Sequence, residues 1–492
     1  MKRRFLYILS AVLLCPLISM AGCAEKQEPR PDTAGYDTKL LVSESANKFA
    51  CEGFATEWDA HFFTVANQKQ GVTEEDFKMI ERRIQAMRLK RVRTMYTPAY
   101  CEITEGNFNF ETMEMKSLVR QLEVCQRNNI EVVLSCHGIP SAYWNAFPGT
   151  NTWSAPKSID AYTNNISKVL NYLINEKKFT CIRYYNPYNE PNLFFNMTSD
   201  QGWIRTPAEF QYYVEMVKKL DARLKQDGLR DKIKLIIGDE SENLEYMHDV
   251  AKELGGIGDV LSSHNYAFTA ETPAIEIENW AKGTMNYKDE FMPEKPHYVY
   301  EIGNKNYSDA YHVFDVNEFS RGFYLPKVAI TYMNEGGTGI SYWVLFDQLY
   351  YDGPIEAAKM SMGLFGFKDE NWQLRPTYQA WALMSRYVSR NAKVYKTTTG
   401  SSTLSGVTFV NPDGSHTYFV CNSGKTEDKF FVDNPDLKNA SMTKYVFDKD
   451  SCHSQEEILP SSGTVDMKQG IFMDTIGPET FAVYTDITFK TK

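Results

Sequence analysis

Two glutamates close apolar runs in this chain of 492 residues: Glu190 at the end of IRYYNPYNEP (182–191) and Glu301 near the end of HYVYEIG (297–303). A facing pair of carboxyl groups suits glycosidic cleavage, because one can protonate the leaving oxygen while the other attacks or supports the anomeric carbon. Other polar residues end similar runs: Arg93, His137, Asn189, Glu240, His264 with Tyr266, and Trp343. Glu240 is the competitor of Glu301 for the second carboxylate. Rival chemistries lack their residues. The eight histidines are dispersed, with no HExxH and no cluster at metal spacing, and no GxSxG elbow occurs. The glycine-rich pieces Gly255-Gly256-Ile257-Gly258 and Gly336-Gly337-Thr338-Gly339 precede strands, the wrong side for a nucleotide loop, and read as turns ending helices. No cofactor and no metal are implied.

The elements that must position these residues follow an eightfold pattern between residues 47 and 390. Short apolar runs stand at 49–58, 91–96, 130–138, 182–191, 233–240, 259–266, 297–303 and 339–346. Amphipathic stretches separate them, among them EEDFKMIERRIQAM (74–87), KSLVRQLEVCQRNN (116–129) and AEFQYYVEMVKKLDARLKQ (208–226), with apolar residues at three- and four-residue steps. Strand and helix alternating eight times predict a (β/α)₈ barrel, whose chemistry sits at the C-terminal ends of its strands. A doubly wound open sheet would need a glycine-rich loop after the first strand, and FACEGFATEW offers none. From 391 to 492 the pattern becomes short alternating strands with turn signals, such as Asn411-Pro412-Asp413-Gly414, predicting an accessory β-sandwich. The piece TKLLVSE (38–44), within a tether and N-terminal strand at 24–46, is expected to pair with that sandwich.

Tyr188-Asn189-Glu190-Pro191 resembles the Asn-Glu-Pro motif ending strand four in glycoside hydrolases of clan A, the retaining, cellulase-like (β/α)₈ glycosidases. The segment from Lys295 to Gly303 is similar to that clan's strand-seven segment, which carries the nucleophile. Arg93, Asp259 with His264 and Tyr266, and Trp343 fall where members have matching residue types, and the resemblance spans the whole barrel. No single family is indicated: Tyr300 before the nucleophile and Cys136-His137 on strand three match no family pattern. The resemblance implies double displacement on a poly- or oligosaccharide, with Glu190 as acid/base and Glu301 as nucleophile. Glu190 must begin protonated and Glu301 ionised.

The resemblance also gives the neighbours roles, each beside a plainer alternative. Asn189 would hydrogen-bond the sugar 2-hydroxyl, or be a turn asparagine. Arg93 would hold Glu301 ionised, or form a structural ion pair in the barrel. Tyr266 would bond Glu301 and His264 a sugar hydroxyl, or both pack in the core; the same two readings apply to His137. Trp343 would floor the −1 sugar site, or pack internally. Tyr143, Trp144, Trp153 and Trp203 are candidate sugar platforms on loops. A catalytically inactive glycan-binding lipoprotein is the rival from another class, against which the joint presence of Asn189, Glu190, Arg93 and Glu301 argues. Transglycosylation would use the same residues. Xylan, glucan, mannan, galactan and host glycans all fit.

Residues 1–23 stand apart. Lys2, Arg3 and Arg4 precede an apolar run that ends in Met20-Ala21-Gly22-Cys23, which resembles a bacterial lipoprotein signal with Cys23 as the lipidated residue; Met20 stands where Leu is usual. An ordinary secretory signal is the alternative. The expectation is an exported protein lipid-anchored to a bacterial cell envelope, touching the membrane only through that anchor. Lys+Arg number 53 against 63 Asp+Glu, a net −10, which argues against nucleic acid and leaves carbohydrate as the expected partner. Oligomeric state is left open. Of nine cysteines, Cys15 and Cys23 belong to the leader; the remaining 9 − 2 = 7 show no CxxC and read mostly as small buried residues.

Overall fold

The computed structural model describes residues 29–198, 206–303, 315–435, 437 and 439–489, so the leader, Cys23 and Trp203 lie outside the described residues. Eight parallel strands close a barrel: β1 (Gly53–Glu57), β2 (Arg91–Tyr96), β3 (Glu131–Cys136), β4 (Ile182–Asn186), β5 (Lys234–Ser241), β6 (Val260–Asn265), β7 (His297–Ile302) and β8 (Gly339–Tyr342). Each pairs with its sequence neighbours, and β8 pairs with β1 in parallel from Gly339↔Gly53 to Tyr342↔Thr56. The principal outer helices are α1 (Glu74–Met87), α2 (Met113–Arg127), α3 (Ile159–Leu170), α4 (Pro207–Gln226), α5 (Leu244–Leu254), α6 (Ala274–Phe291), α7 (Phe319–Asn334) and α8 (Pro376–Tyr387). Helix α1 shows why such stretches settle on the barrel. Thr73 and Asp76 form a reciprocal capping box, and Phe77, Ile80, Ile84 and Met87 bury one face. Among the described residues no helix is long and apolar enough to cross a membrane.

Alternation along β2 sets the layers inside the barrel, since every second side chain points inward. Arg91 sits lowest, with its guanidinium 4.4 Å from the Tyr184 ring centre and 5.1 Å from that of Tyr298. It also bonds Glu52 at 2.7 Å and Glu131 at 2.9 Å. Two residues on, Arg93 lies at the level of the site, and Met95 reaches the mouth.

The C-terminal domain is a β-sandwich made from one nine-stranded sheet closed on itself. Its strands are β9 (Lys393–Thr398), β10 (Leu404–Val410), β11 (His416–Asn422), β12 (Asp428–Asp433), β13 (Asn439–Phe447), β14 (Gly463–Lys468), β15 (Ile471–Ile476), β16 (Thr480–Thr485) and the N-terminal strand Thr38–Ala46. That N-terminal strand lies antiparallel to β9 and parallel to β12. Period-two alternation gives β10, β11 and β16 two buried faces. Leu404, Tyr418, Val420, Ala482 and Tyr484 fill the sandwich, while Val407, Phe409, Phe419, Phe481 and Val483 join the barrel's core. Phe54 of β1 meets Trp381, Phe409 and Phe419 at ring separations of 5.7, 6.5 and 5.9 Å, and each such buried ring contributes about 1.5–3 kcal/mol. All seven body cysteines are buried and unbridged.

Candidate active site

Two local irregularities aim the acidic residues. On β7, Tyr298 and Tyr300 both fill the lower barrel, so simple alternation would turn Glu301 outward. The register with β6 skips a residue there, Ser263↔Val299 being followed by His264↔Glu301, and this bulge brings Glu301 into the mouth. On β5 a second bulge lies between Gly238 and Glu240, with Asp239 at φ 53°, and it turns Asp239 inward. Glu190 follows β4 at φ 44° and ψ 57°, left-handed, just before Pro191 opens a short helix. Its N–H donates to the Asp239 carbonyl at 3.0 Å, and the Asn189 N–H donates to the Cys136 carbonyl at 2.7 Å. A non-glycine residue is held there only when its surroundings over-determine it, a pattern common at functional sites.

Glu190, Glu301 and His264 come together: one oxygen of each carboxyl group and one ring nitrogen of the imidazole all lie within 4.8 Å of one another. His264 Nδ1 is 2.9 Å from Glu190 and 3.4 Å from Glu301, and Nε2 is 3.1 Å from Asp239. Arg93 donates from Nη1 to Glu301 at 2.6 Å and Glu57 at 2.9 Å, and from Nη2 to Asn189 at 2.6 Å and Asp239 at 2.7 Å. Tyr266 donates its hydroxyl to the other Glu301 oxygen at 2.6 Å. The two glutamates therefore differ in surroundings: Arg93 and Tyr266 both serve Glu301.

Burial raises the Glu301 carboxyl above the usual range against the pull of His264 and Arg93, and Glu190 pushes it the same way as burial. Burial opposes a charge on His264, yet Glu301 and Asp239 more than offset it and raise its pKa well above the ordinary range. Asp239 is held down to about 2: burial would raise it, but Arg93 and His264 outweigh that. Glutamate, glutamate and imidazole could in other settings hold a divalent ion. A protonated imidazole offers no lone pair, so this trio is better suited to hydrogen bonding than to ligation.

The remaining candidates fall into two groups. Arg93, expected to hold Glu301 ionised, and His264, expected at a sugar hydroxyl, are both fully buried beneath the carboxyl groups, and His264 reaches ligand only through them. The Asn189 side-chain oxygen accepts from Arg93 Nη2, so the donor left on that side chain is its amide NH₂. Trp343 lines the mouth with Met95, Tyr266, Tyr350, Met360 and Met362, and its indole N–H donates to the Met360 sulfur at 3.0 Å. His137 is half-buried, edge-on to Trp153 at 4.2 Å, and burial pushes it down to about 4, so its ring is neutral. Tyr143 and Trp144 are tied to Glu102 at 3.3 Å each and serve the loop's own structure. Asp259 lies at the opposite end of β6, paired with Arg230 at 2.8 Å, away from the site.

Glu240, the competitor, is fully buried, with one oxygen accepting the Asn243 N–H at 2.5 Å where α5 begins, and it belongs to β5, the strand next to β4, rather than to one across the barrel. Sequence reasoning missed Glu57 and Asp239. Asp239 had a signal in Gly238-Asp239, since a glycine inside a strand pattern marks a bulge.

By sequence, no protein-family model matches the chain, and no curated protein does. Solved structures do resemble it. The catalytic domain of GH30 xylanase C from Talaromyces cellulolyticus is 13% identical over 92% of this chain and 100% of its own, with a TM-score of 0.66. An endo-β1,6-glucanase is 14% identical over 92% and 94%, with a TM-score of 0.65. The GH51 α-L-arabinofuranosidase from Thermotoga petrophila is 13% identical over 91% and 99%, also at 0.65. At these identities the likeness is one of fold, and it covers barrel and sandwich together.

Proposed function

We propose that this chain is a retaining glycoside hydrolase of the clan A type, with Glu301 as nucleophile and Glu190 as acid/base. The observation that carries the reading is the approach of one oxygen of each carboxyl group to within 4.8 Å across the barrel mouth, with Arg93 and Tyr266 both bonded to Glu301. Retaining enzymes separate their carboxyl groups by about 5–5.5 Å, whereas inverting ones leave about 6.5–9.5 Å for a water. Glu301 attacks the anomeric carbon while Glu190 gives its proton to the departing oxygen. Esterification removes the Glu301 charge, and Glu190, now a base, activates the water that releases the sugar.

His264 and Asp239 hold the pair in place, the Asn189 amide meets the sugar 2-hydroxyl, and Trp343 offers a ring face to sugar C–H groups. Xylan, β-1,6-glucan and α-L-arabinofuranosides, the substrates named for the fold neighbours, head the panel to test. Glu190→Ala should slow glycosides with poor leaving groups far more than activated aryl glycosides, and equal losses on both would refute its role as proton donor. The same reading makes Cys23 the lipidated residue of an exported protein. Palmitate labelling that survives Cys23→Ser would refute it.

A further inference from the structure

Glu57 ends β1 on the inward face, and its side chain is fully buried. Its Oε2 accepts from Arg93 Nη1 at 2.9 Å, the same nitrogen that serves Glu301 at 2.6 Å. Its other oxygen, Oε1, is buried with no donor. A charged oxygen stranded in this way is costly, because the full desolvation penalty goes uncompensated. The group within hydrogen-bonding reach is another acid, the fully buried Asp59. The Asp59 oxygens already take the Met95 N–H at 3.0 Å and the Tyr350 hydroxyl at 2.6 Å. Two carboxyl groups in contact and away from water do not both ionise; they share a proton.

Charge counting leads to the same residue. Four carboxyl groups, Glu57, Glu190, Asp239 and Glu301, touch two cationic side chains, Arg93 and His264, and the fully buried Asp59 adjoins Glu57, so full ionisation would leave 2 − 5 = −3 in a buried site. A proton on Glu190 as the catalytic acid leaves −2, and one more, shared by Glu57 and Asp59, reduces it to −1. Asp239 is not its carrier: Arg93, Asn186, Ser262 and His264 all converge on its carboxylate. Glu301 must stay ionised to attack. Only Glu57 has both an empty oxygen and an acceptor beside it.

We propose that Glu57 holds a proton in the resting enzyme, donates it to Asp59, and so leaves the charge of Arg93 Nη1 to the nucleophile. Glu57 is then a positioning residue that acts through Arg93. Burial raises its carboxyl well above the usual range against Arg93, with Asp59 and Glu301 adding to the rise. The charged and titratable groups facing it are Arg93 from β2, Glu301 from β7, Asp59 from its own segment and, from beyond β8, the Tyr350 hydroxyl that donates to Asp59. The Leu345 N–H, also beyond β8, meets its backbone carbonyl at 2.8 Å. The effect on rate rests on Glu301 being the nucleophile; the place of the proton does not.

Two variants test this. Glu57→Gln keeps a carbonyl on Arg93 and places an NH₂ toward Asp59, so the acid limb of kcat/KM should stay within about 0.3 pH unit of the parent. Were Glu57 an anion, the same change would remove a charge beside Glu301 and lower that limb by about a unit or more. Asp59→Asn has the opposite consequence. Its amide donates to Glu57, which ionises and competes for Arg93, so the limb should rise by about half a unit or more; an unmoved or falling limb overturns the proposal. Infrared spectra of the unliganded protein at pH 7 need no turnover. In parent-minus-variant difference spectra, one protonated-carboxyl component, separate from those of Glu190 and Glu240, should be lost in both variants, and its absence from either difference spectrum would overturn the proposal. A parent that hydrolyses nothing, with variants that lose the band as expected, would remove the glycosidase reading and leave the proton on Glu57.

Discussion

The hydroxyl of Tyr266 is the simplest handle on Glu301, the proposed nucleophile, and Tyr266→Phe removes it while keeping the ring. It donates to Glu301 at 2.6 Å, a short bond to a charged acceptor. Hydrogen bonds of that kind contribute about 1.5–3 kcal/mol. Their loss acts twice. Glu301, already raised by burial, rises further, so the acid limb of kcat/KM moves up by at most about 1–2 pH units at 1.36 kcal/mol per unit. The more basic carboxylate is also a poorer leaving group, so release of the sugar slows by roughly 10- to 100-fold and glycosyl-enzyme accumulates as a burst.

Gly303 offers an independent route to the same lesion. A Cβ there would lie 2.3 and 2.5 Å from two Tyr266 ring carbons, so Gly303→Ala must displace the ring. The assay is pre-steady-state release of an aryl leaving group from pH 4 to 9, with melting temperatures measured alongside. Rates within threefold of the parent and an unmoved acid limb in Tyr266→Phe would refute the argument.

Other consequences concern the buried charges. Asp239→Asn should lower unfolding free energy at pH 7 by about 3 kcal/mol, because Arg93 and His264 lose a shared anion. In the parent, a carboxyl held down to about 2 stabilises the fold above its unfolded value near 3.9, and that contribution fades as pH falls toward 2, which urea titrations at stepped pH would show. Arg91→Met should cost about 2–3 kcal/mol in the same titrations, since Glu52 and Glu131 can partly rehydrate, and should leave kcat and KM unchanged. Burial pushes Glu240 up to about 8. A raised carboxyl favours the fold fully below its unfolded pKa and loses that stability as pH climbs to 8, so Glu240→Gln should match the parent at pH 4 and exceed it at pH 9.

Periodicity made the barrel legible. Residues 91–96 are β2 and 74–87 are α1 without adjustment, because a strand buried on both sides and a helix with one apolar face leave unambiguous patterns. The sandwich was half legible. Strand β14 is largely exposed and carries little apolar signal, although the positive φ angles at Gln469 and Gly470 mark the hairpin that joins it to β15. Glu190 and Glu301 were readable as strand-end acids. What surrounds them was not, because bulges on β5 and β7 change which residues face inward, and strict alternation misplaces Asp239. Glu57 was hidden for a different reason: it ends a strand whose sequence carries no motif, and only the closed barrel brings it to Arg93.

The most direct test of the account is to find where a trapped sugar becomes attached. The protein would be incubated with 2-deoxy-2-fluoro glycosides bearing activated leaving groups, digested, and mapped by mass spectrometry. The account predicts one glycosyl adduct on the peptide that contains Glu301, absent from Glu301→Gln and slow to turn over. An adduct on Glu190 or Glu240, or hydrolysis of natural glycosides with inverted anomeric configuration, would contradict it.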